Sequence, residues 1–323
     1  MREALYTNNP EINQVVDYLL ETSGKMLRPR LVYLTASFFP NNSEVVQDVA
    51  VAVELIHLAS LVHDDVIDHS NLRRGQPSLN SQWGNHISVL CGDYLFATAF
   101  KLINKHNIPA VLENVTDTIR IMCAGEIQQL SMLGNVEISE EEYIYKCFCK
   151  TACLFASSCK IGALTSTCLI PEVHISNLEQ YGACLGYAYQ IIDDVLDFTS
   201  ASHLLGKPVG SDLLQGNITL PVILVLKDKE YGLWLRKLLQ GGSLKNDMIP
   251  VVTEILMKTG AIDESIKRSK AFLQQGLQNL DRLPAGPAKE ELKNLTICLM
   301  EDYYSKLNQD HVGNRRPQSG NIC

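Results

Sequence analysis

Asp64-Asp65-Val66-Ile67-Asp68 closes one long apolar segment, and Asp193-Asp194-Val195-Leu196-Asp197 closes another with the same spacing. In an α-helix, residues i and i+4 lie roughly 40° apart around the axis, so Asp64 shares a face with Asp68 and Asp193 with Asp197. Upstream of the first cluster, Val49, Val53, Ile56 and Ala59 recur at helical spacing. Asn41 to Ser43 offers a helix start, and Ser139 with Glu142 predicts a capping box ahead of Tyr143, Phe148 and Phe155. Similar periodicity covers 87–104, 109–130, 175–198, 249–258, 263–280 and 287–307, and no convincing set of alternating strands interrupts it. An all-α, single-domain helical bundle is expected over residues 1–309. The polar segment 310–323 has little to bury and reads as a disordered tail.

The 323 residues are 46% hydrophobic and 20% charged, ample for a large core, and 28 Lys plus Arg against 36 Asp plus Glu give a net charge of −8. That balance argues against a nucleic-acid partner, which would need clustered cations. Anionic small molecules stay open, because a bound metal inverts the local sign of a site. The start of the chain lacks an apolar core and a cleavage signal, and the best apolar run, 218–226, carries a proline. The expectation is a cytosolic chain with no transmembrane segment. Ten cysteines without a CxxC pair read as reduced core residues.

The acidic clusters sit at helix C-termini, where the macrodipole disfavours negative charge, so cations are needed to neutralise them. Carboxylate-rich, oxygen-only clusters suit Mg²⁺, which binds one or two carboxylates together with substrate phosphates. Basic residues follow each cluster: Arg73 and Arg74 after the first, Lys207 after the second. Acid, metal and base together describe a diphosphate clamp. Upstream, Gly24-Lys25-Met26-Leu27-Arg28-Pro29-Arg30 places Lys25 and Arg28 just before or at a helix N-terminus; alone the heptad reads as a surface basic patch, and beside the paired motifs as another anion site. His57 alone would be a core histidine, His63 and His69 structural or surface residues, and Trp83 and Tyr94 packing residues.

Taken in order, GKMLRPRL, ELIHLASLVHDDVIDHSNLRRG, GDYLFA, CKTACLFASSCKIGA, YQIIDDVLDFTS and GKPVGSDLLQGNITLP resemble the trans-isoprenyl (polyprenyl) diphosphate synthase family from about Gly24 to Pro221. The wording is most like its heptaprenyl branch, whose catalytic chains act with a small component I subunit to make a quinone side chain, as in menaquinone. The resemblance implies an isoprenoid synthase bundle around a central apolar cavity, working as a homodimer or as a heterodimer with a component I subunit. It implies a transferase that condenses isopentenyl diphosphate with an allylic prenyl diphosphate and passes its product to a membrane. By the same resemblance, Asp64, Asp65, Asp68, Asp193, Asp194 and Asp197 would hold Mg²⁺. Arg73, Lys150, Thr151, Gln190 and Lys207 would contact the allylic diphosphate, and Lys25, Arg28, His57 and Arg74 isopentenyl diphosphate. Asp64, Asp68, Asp193, Lys150 and Lys207 would carry catalysis.

Product length is argued from the residues below Asp64. Ser60 and Ala59 lie one turn beneath the cluster and are small, with Ile56 another turn down as a partial stop, so a product of about C30 or longer is expected. Two departures from the family pattern stand out. Asn217 occupies a position where many members have Lys, and the segment before Gly24 looks short enough to lack an N-terminal helix. A non-catalytic regulatory subunit of a heteromeric synthase is the alternative function; it would keep the fold and lose ligands.

Overall fold

The computed structural model describes residues 1–21, 24–199, 209–241 and 244–313. Its first half comprises α1 (Arg2–Leu5), α2 (Pro10–Glu21), α3 (Leu27–Ala36), α4 (Ser43–Ile67), the two-residue strands β1 (Leu72–Arg73) and β2 (Gln76–Pro77), α5 (Leu79–Asn104) and α6 (Pro109–Ser131). Then come α7 (Glu140–Cys147), a π-helical turn (Phe148–Ala152), α8 (Cys153–Leu164), α9 (Glu172–Thr199), α10 (Ser211–Leu214) and α11 (Leu220–Leu226). The second half ends with α12 (Gly232–Gln240), α13 (Ile249–Lys258), α14 (Ala261–Asp281) and α15 (Pro287–Gly313). The all-α expectation holds: among the described residues, the single hairpin is the whole of the sheet structure.

Local chemistry sets the boundaries that matter. The Asn42 side chain accepts from the Glu44 amide at 3.0 Å and starts α4. At α7, Glu142 N–H donates to Ser139 Oγ and Ser139 N–H to Glu142 Oε2, closing the expected capping box. The hairpin turn is Arg74-Gly75, both at positive φ (52° and 77°), as a two-residue turn of twisted strands requires.

Two buried clusters fill the bundle. One gathers α4, α5 and the N-terminal helices around Leu55, Ile56 and Leu95; the other gathers α9 and the later helices around Tyr181, Ile191 and Val222. Helices α3 and α8 serve both: Leu31 and Phe155 face the second cluster, while Val32 and Leu154 face the first. On α9, Gly182 and Gly186 let its backbone close on α8, since a Cβ at either would come within 2.5 Å of Phe155 O or Ala152 Cα. That contact holds the second acidic motif against the π turn.

Several expectations need revision. The short N-terminal segment does form a helix, α2, whose Val16 and Leu19 are buried. Helix α5 begins before residue 87, with Gly84 breaking its regular φ/ψ. Helix α15 runs to Gly313, so the start of the segment expected to be a disordered tail is helical, and residues 314–323 lie outside the described residues. Three helical stretches, Ser43–Ile67, Leu79–Asn104 and Glu140–Leu164, are long and apolar enough to cross a membrane, contrary to the expectation that none would be. Most of the first and third is buried within the bundle, where protein rather than lipid covers the apolar surface. Cys91, Cys147, Cys149, Cys153, Cys159 and Cys184 are buried free thiols, as expected of core cysteines. Trp83 packs edge-on against Tyr18, and Tyr94 donates its hydroxyl to Leu5 O, so both tie down the N-terminal helices.

Candidate active site

The C-terminal ends of α4 and α9 meet at a cavity of about 640 Å³. Asp64 lines it from α4 and Asp68 from the C-cap just past its end, Asp193 and Asp194 from α9, and Lys150 and Thr151 from the π turn. Arg73 and Arg74 enter from the hairpin, Arg28 from the first turn of α3, and His57 and Ser60 from the shaft of α4. Such wide turns recur at functional sites because they displace a side chain from the regular helical register.

The six motif aspartates divide into two kinds. Asp65 is buried and grips Arg73: Nε lies 2.9 and 2.8 Å from its two oxygens and Nη2 2.6 Å from Oδ1. Asp197 is buried as well, accepting from Ser211 Oγ (3.0 Å) and the Asp212 amide (3.2 Å) while its carbonyl accepts from Gly210 N–H (2.8 Å). Neither lines the cavity; Asp65 positions a guanidinium and Asp197 caps α10.

The cavity aspartates have unusual ionisation. Burial raises Asp194 from 3.8 to about 7, against the opposing pull of Lys146 and of hydrogen bonds from Tyr143 and Gln190. Tyr143 OH donates to its Oδ2 at 2.7 Å and Gln190 Nε2 to its Oδ1 at 2.8 Å, while Thr151 Oγ1 donates to Gln190 Oε1. Burial also raises Asp64 to about 6, with Lys150 opposing and Glu126 and Asp68 reinforcing. For Lys150, burial opposes the charge, yet Asp212, Glu126, Asp64 and Asp68 outweigh it and hold the pKa at about 12. Lys150 is thus a fixed cation among acidic groups.

On the opposite flank, burial, then Arg28, Arg74 and Arg73, depress His57 well below the ordinary imidazole range. His57 is therefore neutral beside three guanidiniums. Buried Glu54, one turn earlier on α4, is raised by burial and lowered by Arg28 and Arg74.

Not every expected residue reaches the cavity. Lys25 lines a neighbouring groove between α3 and α15 with Arg30, Leu295 and Leu299. Lys207 lies outside the described residues. Ser60 lines the cavity, whereas Ala59 and Ile56 are completely buried in packing between helices. His63 bonds to Val89 O, and His69 is exposed, as expected of structural or surface residues, with His69 standing at the rim of the cavity. Sequence reasoning passed over Lys146, Asp212, Gln129 and Tyr189, all of which line the cavity. Lys146 stands four residues before Lys150, and that spacing is the signal that could have found it.

The donor set fits a divalent cation. Asp64, Asp68, Asp193 and Asp194 are hard oxygen donors in one cavity, and the raised Asp64 and Asp194 are carboxylates short of compensating charge. Among the described residues no three His, Cys, Asp or Glu side chains converge tightly enough to hold an ion alone. A cation here would need oxygens from a second molecule, as Mg²⁺ takes them from phosphates.

A family model described as polyprenyl synthetase matches residues 9–256. The chain is 39% identical over 292 residues to heptaprenyl diphosphate synthase component 2 of Bacillus subtilis (strain 168), covering 90% of this chain and 83% of that one. Among solved structures, heptaprenyl diphosphate synthase from Staphylococcus aureus is similar with a TM-score of 0.86 and 35% identity, covering 91% of this chain and 92% of that one. Polyprenyl synthase from Caulobacter crescentus CB15, solved with calcium and isoprenyl diphosphate, is similar with a TM-score of 0.85 and 30% identity, covering 91% and 90%. On the length of these matches, with the two acidic helices and the cationic residues gathered in one cavity, the chain belongs to the polyprenyl synthetase family, a family of prenyltransferases.

Proposed function

We propose that this chain is the catalytic component of a Mg²⁺-dependent long-chain polyprenyl diphosphate synthase, extending an allylic prenyl diphosphate with isopentenyl diphosphate to a heptaprenyl-length product for a quinone side chain. The observation that carries this is the cavity's polarity: four aspartates and Lys150 on one side, Arg28, Arg74 and neutral His57 on the other.

Asp64, Asp68 and Asp193 would hold the metal, which supplies Lewis-acid neutralisation of the departing diphosphate when bound. Lys150, at about 12, keeps its charge throughout and donates to the same oxygens. Arg73, fixed by Asp65, presents its remaining N–H groups to them from the hairpin. Arg28 and Arg74 clamp isopentenyl diphosphate; a neutral His57 adds a hydrogen bond without further repulsion. With both substrates so placed, the allylic C–O bond breaks and its electron pair leaves with the diphosphate. The isopentenyl double bond attacks the allylic carbon to form the new C–C bond. Loss of one proton to the released diphosphate regenerates an allylic diphosphate one unit longer.

Retention of the cavity aspartates, Lys150 and both arginines supports a catalytic over a regulatory role. Likeness to a chain named component 2 supports a heteromeric partner, with a homodimer as the simpler assembly. A cytosolic chain handing its product to a membrane fits the same scheme. The test is to incubate the purified chain with Mg²⁺, farnesyl diphosphate and labelled isopentenyl diphosphate, alone and with a small component I subunit, and to size the products. Elongation to about C30 or longer is expected from the small side chain of Ser60 at the cavity wall; no elongation in either arm refutes the assignment.

A further inference from the structure

Lys146 is a cavity cation that the chemistry above leaves unused. It lies one turn before Lys150 on α7, and its Nζ donates to Asn217 Oδ1 at 2.7 Å and to Ile218 O at 3.0 Å. The ammonium also stands 5.4 Å from the centroid of the Tyr143 ring, whose hydroxyl binds Asp194. Lys146, Asn217 and Asp194 line the same stretch of cavity wall. Both hydrogen-bond acceptors of the ammonium are neutral, so two of its three N–H groups are used without cancelling its charge. Burial works against that charge, and Asp194 is the largest opposing influence. Asn217 brings no charge of its own; its amide oxygen instead anchors an ammonium that arrives from α7, across the cleft between α7 and the loop after α10.

We propose that Lys146 is a further binding residue for the allylic diphosphate, held in place by Asn217 and Ile218 so that it supplies, from α7, the positive charge that position 217 lacks. This rests on the diphosphate reading of the cavity. An anion arriving beside Asp194 meets the third N–H of Lys146 together with Lys150, so the two lysines form a ladder of cations one helical turn apart. The division of labour is local: the contacts of Lys146 are with Asn217, Ile218 and the Tyr143 ring, on the Asp194 side of the cavity.

The test is calorimetric titration of farnesyl diphosphate with Mg²⁺ and without isopentenyl diphosphate, so that no turnover occurs. The proteins are the wild type, Lys146→Met, Lys146→Gln and the double variant Lys146→Met/Asn217→Lys, each with its melting temperature. Both single variants are expected to bind farnesyl diphosphate about 10–100-fold more weakly, the range of a lost charge-assisted hydrogen bond. Affinity for isopentenyl diphosphate, titrated separately, should change less than about threefold. The double variant should recover most of the loss, because the charge returns to the same wall from position 217. Single variants that bind within about twofold of the wild type, or a double variant that melts like the wild type yet binds as weakly as Lys146→Met, overturn the proposal while the diphosphate reading stands. A wild-type chain that binds no farnesyl diphosphate overturns both.

Discussion

Replacing Asp194 by Asn should make the metal-free protein more stable at high pH. Asp194 is buried, and its carboxyl is raised from 3.8 to about 7. That displacement corresponds to a penalty of about 4 kcal/mol for ionising the native state at high pH. The sign follows from the direction of the shift. A group whose folded pKa is raised contributes its full stability below its unfolded value; that contribution is lost progressively from about pH 4 to about pH 7, and above pH 7 the loss is complete. Asparagine never ionises, keeps one acceptor oxygen for Gln190 or Tyr143, and loses the attraction of Lys146, which offsets about half of the gain. The expected net effect in EDTA at pH 8 is about 2 kcal/mol in favour of Asp194→Asn, or roughly 4 °C in melting temperature for a chain of this size. At pH 4.5 the ionisation penalty falls to about 1 kcal/mol and the advantage should vanish. Asp64, raised in the same direction, is common to both proteins and cancels in the difference. Thermal melts across pH 4.5–8 measure this directly. An Asn variant that melts no higher at pH 8, or one whose advantage is the same at both pH values, would refute the account of Asp194 as a carboxylate strained by burial.

Four further outcomes follow from the same geometry. Asp65→Asn should raise the KM for the allylic diphosphate roughly tenfold by releasing Arg73, while leaving the Mg²⁺ concentration for half-maximal rate nearly unchanged; a titration of rate against Mg²⁺ decides it. Asp197→Ala should cost about 1 kcal/mol in urea unfolding through loss of the α10 cap, with a fall in activity that Asp197→Asn partly restores. Ser60→Phe should shorten the product, read by chromatography, because Ser60 lines the cavity. Ala59→Phe should instead destabilise the fold by about 1–3 kcal/mol, because Ala59 is fully buried.

The acidic helices were legible because their signal is purely local: apolar spacing gives α4 and α9, and i, i+4 geometry brings Asp64 and Asp68 to the cavity together, whereas on α9 Asp193 lines it with Asp194 rather than with Asp197. Lys150, Thr151 and Gln190 came through the family resemblance and do meet in the cavity. What spacing could not supply was the division among the aspartates. Asp65 turns away because the hairpin returns Arg73 to it, and Asp197 because the α10 loop folds onto it; both partners are tertiary. Lys146 was hidden among the tyrosines of a helix whose facing neighbour, Asn217, lies 71 residues on. Helix α2 is amphipathic, with Ile12, Val15, Val16, Leu19 and Leu20 at helical spacing, so its signal was local and only the shortness of the segment before Gly24 masked it. The chain-length residues split for the same reason: helical geometry sets Ala59 and Ser60 side by side, but only packing decides which one borders empty space.

The π turn at Phe148–Ala152 has a consequence for how this site can change. A wide turn inside a continuous helix is equivalent to one surplus residue, absorbed without shifting the anchored ends. Upstream, α7 is pinned by its capping box; downstream, α8 is pinned against the two glycines of α9. Loss of a single residue between them would therefore restore an ordinary helix and swing Lys150 and Thr151 through about 100° relative to one anchor, with the rest of the bundle unmoved. Point substitution can alter what the cations are, but the length of this short stretch fixes where they aim. Insertions and deletions here, rather than exchanges of side chain, are the changes to which this centre would be most sensitive.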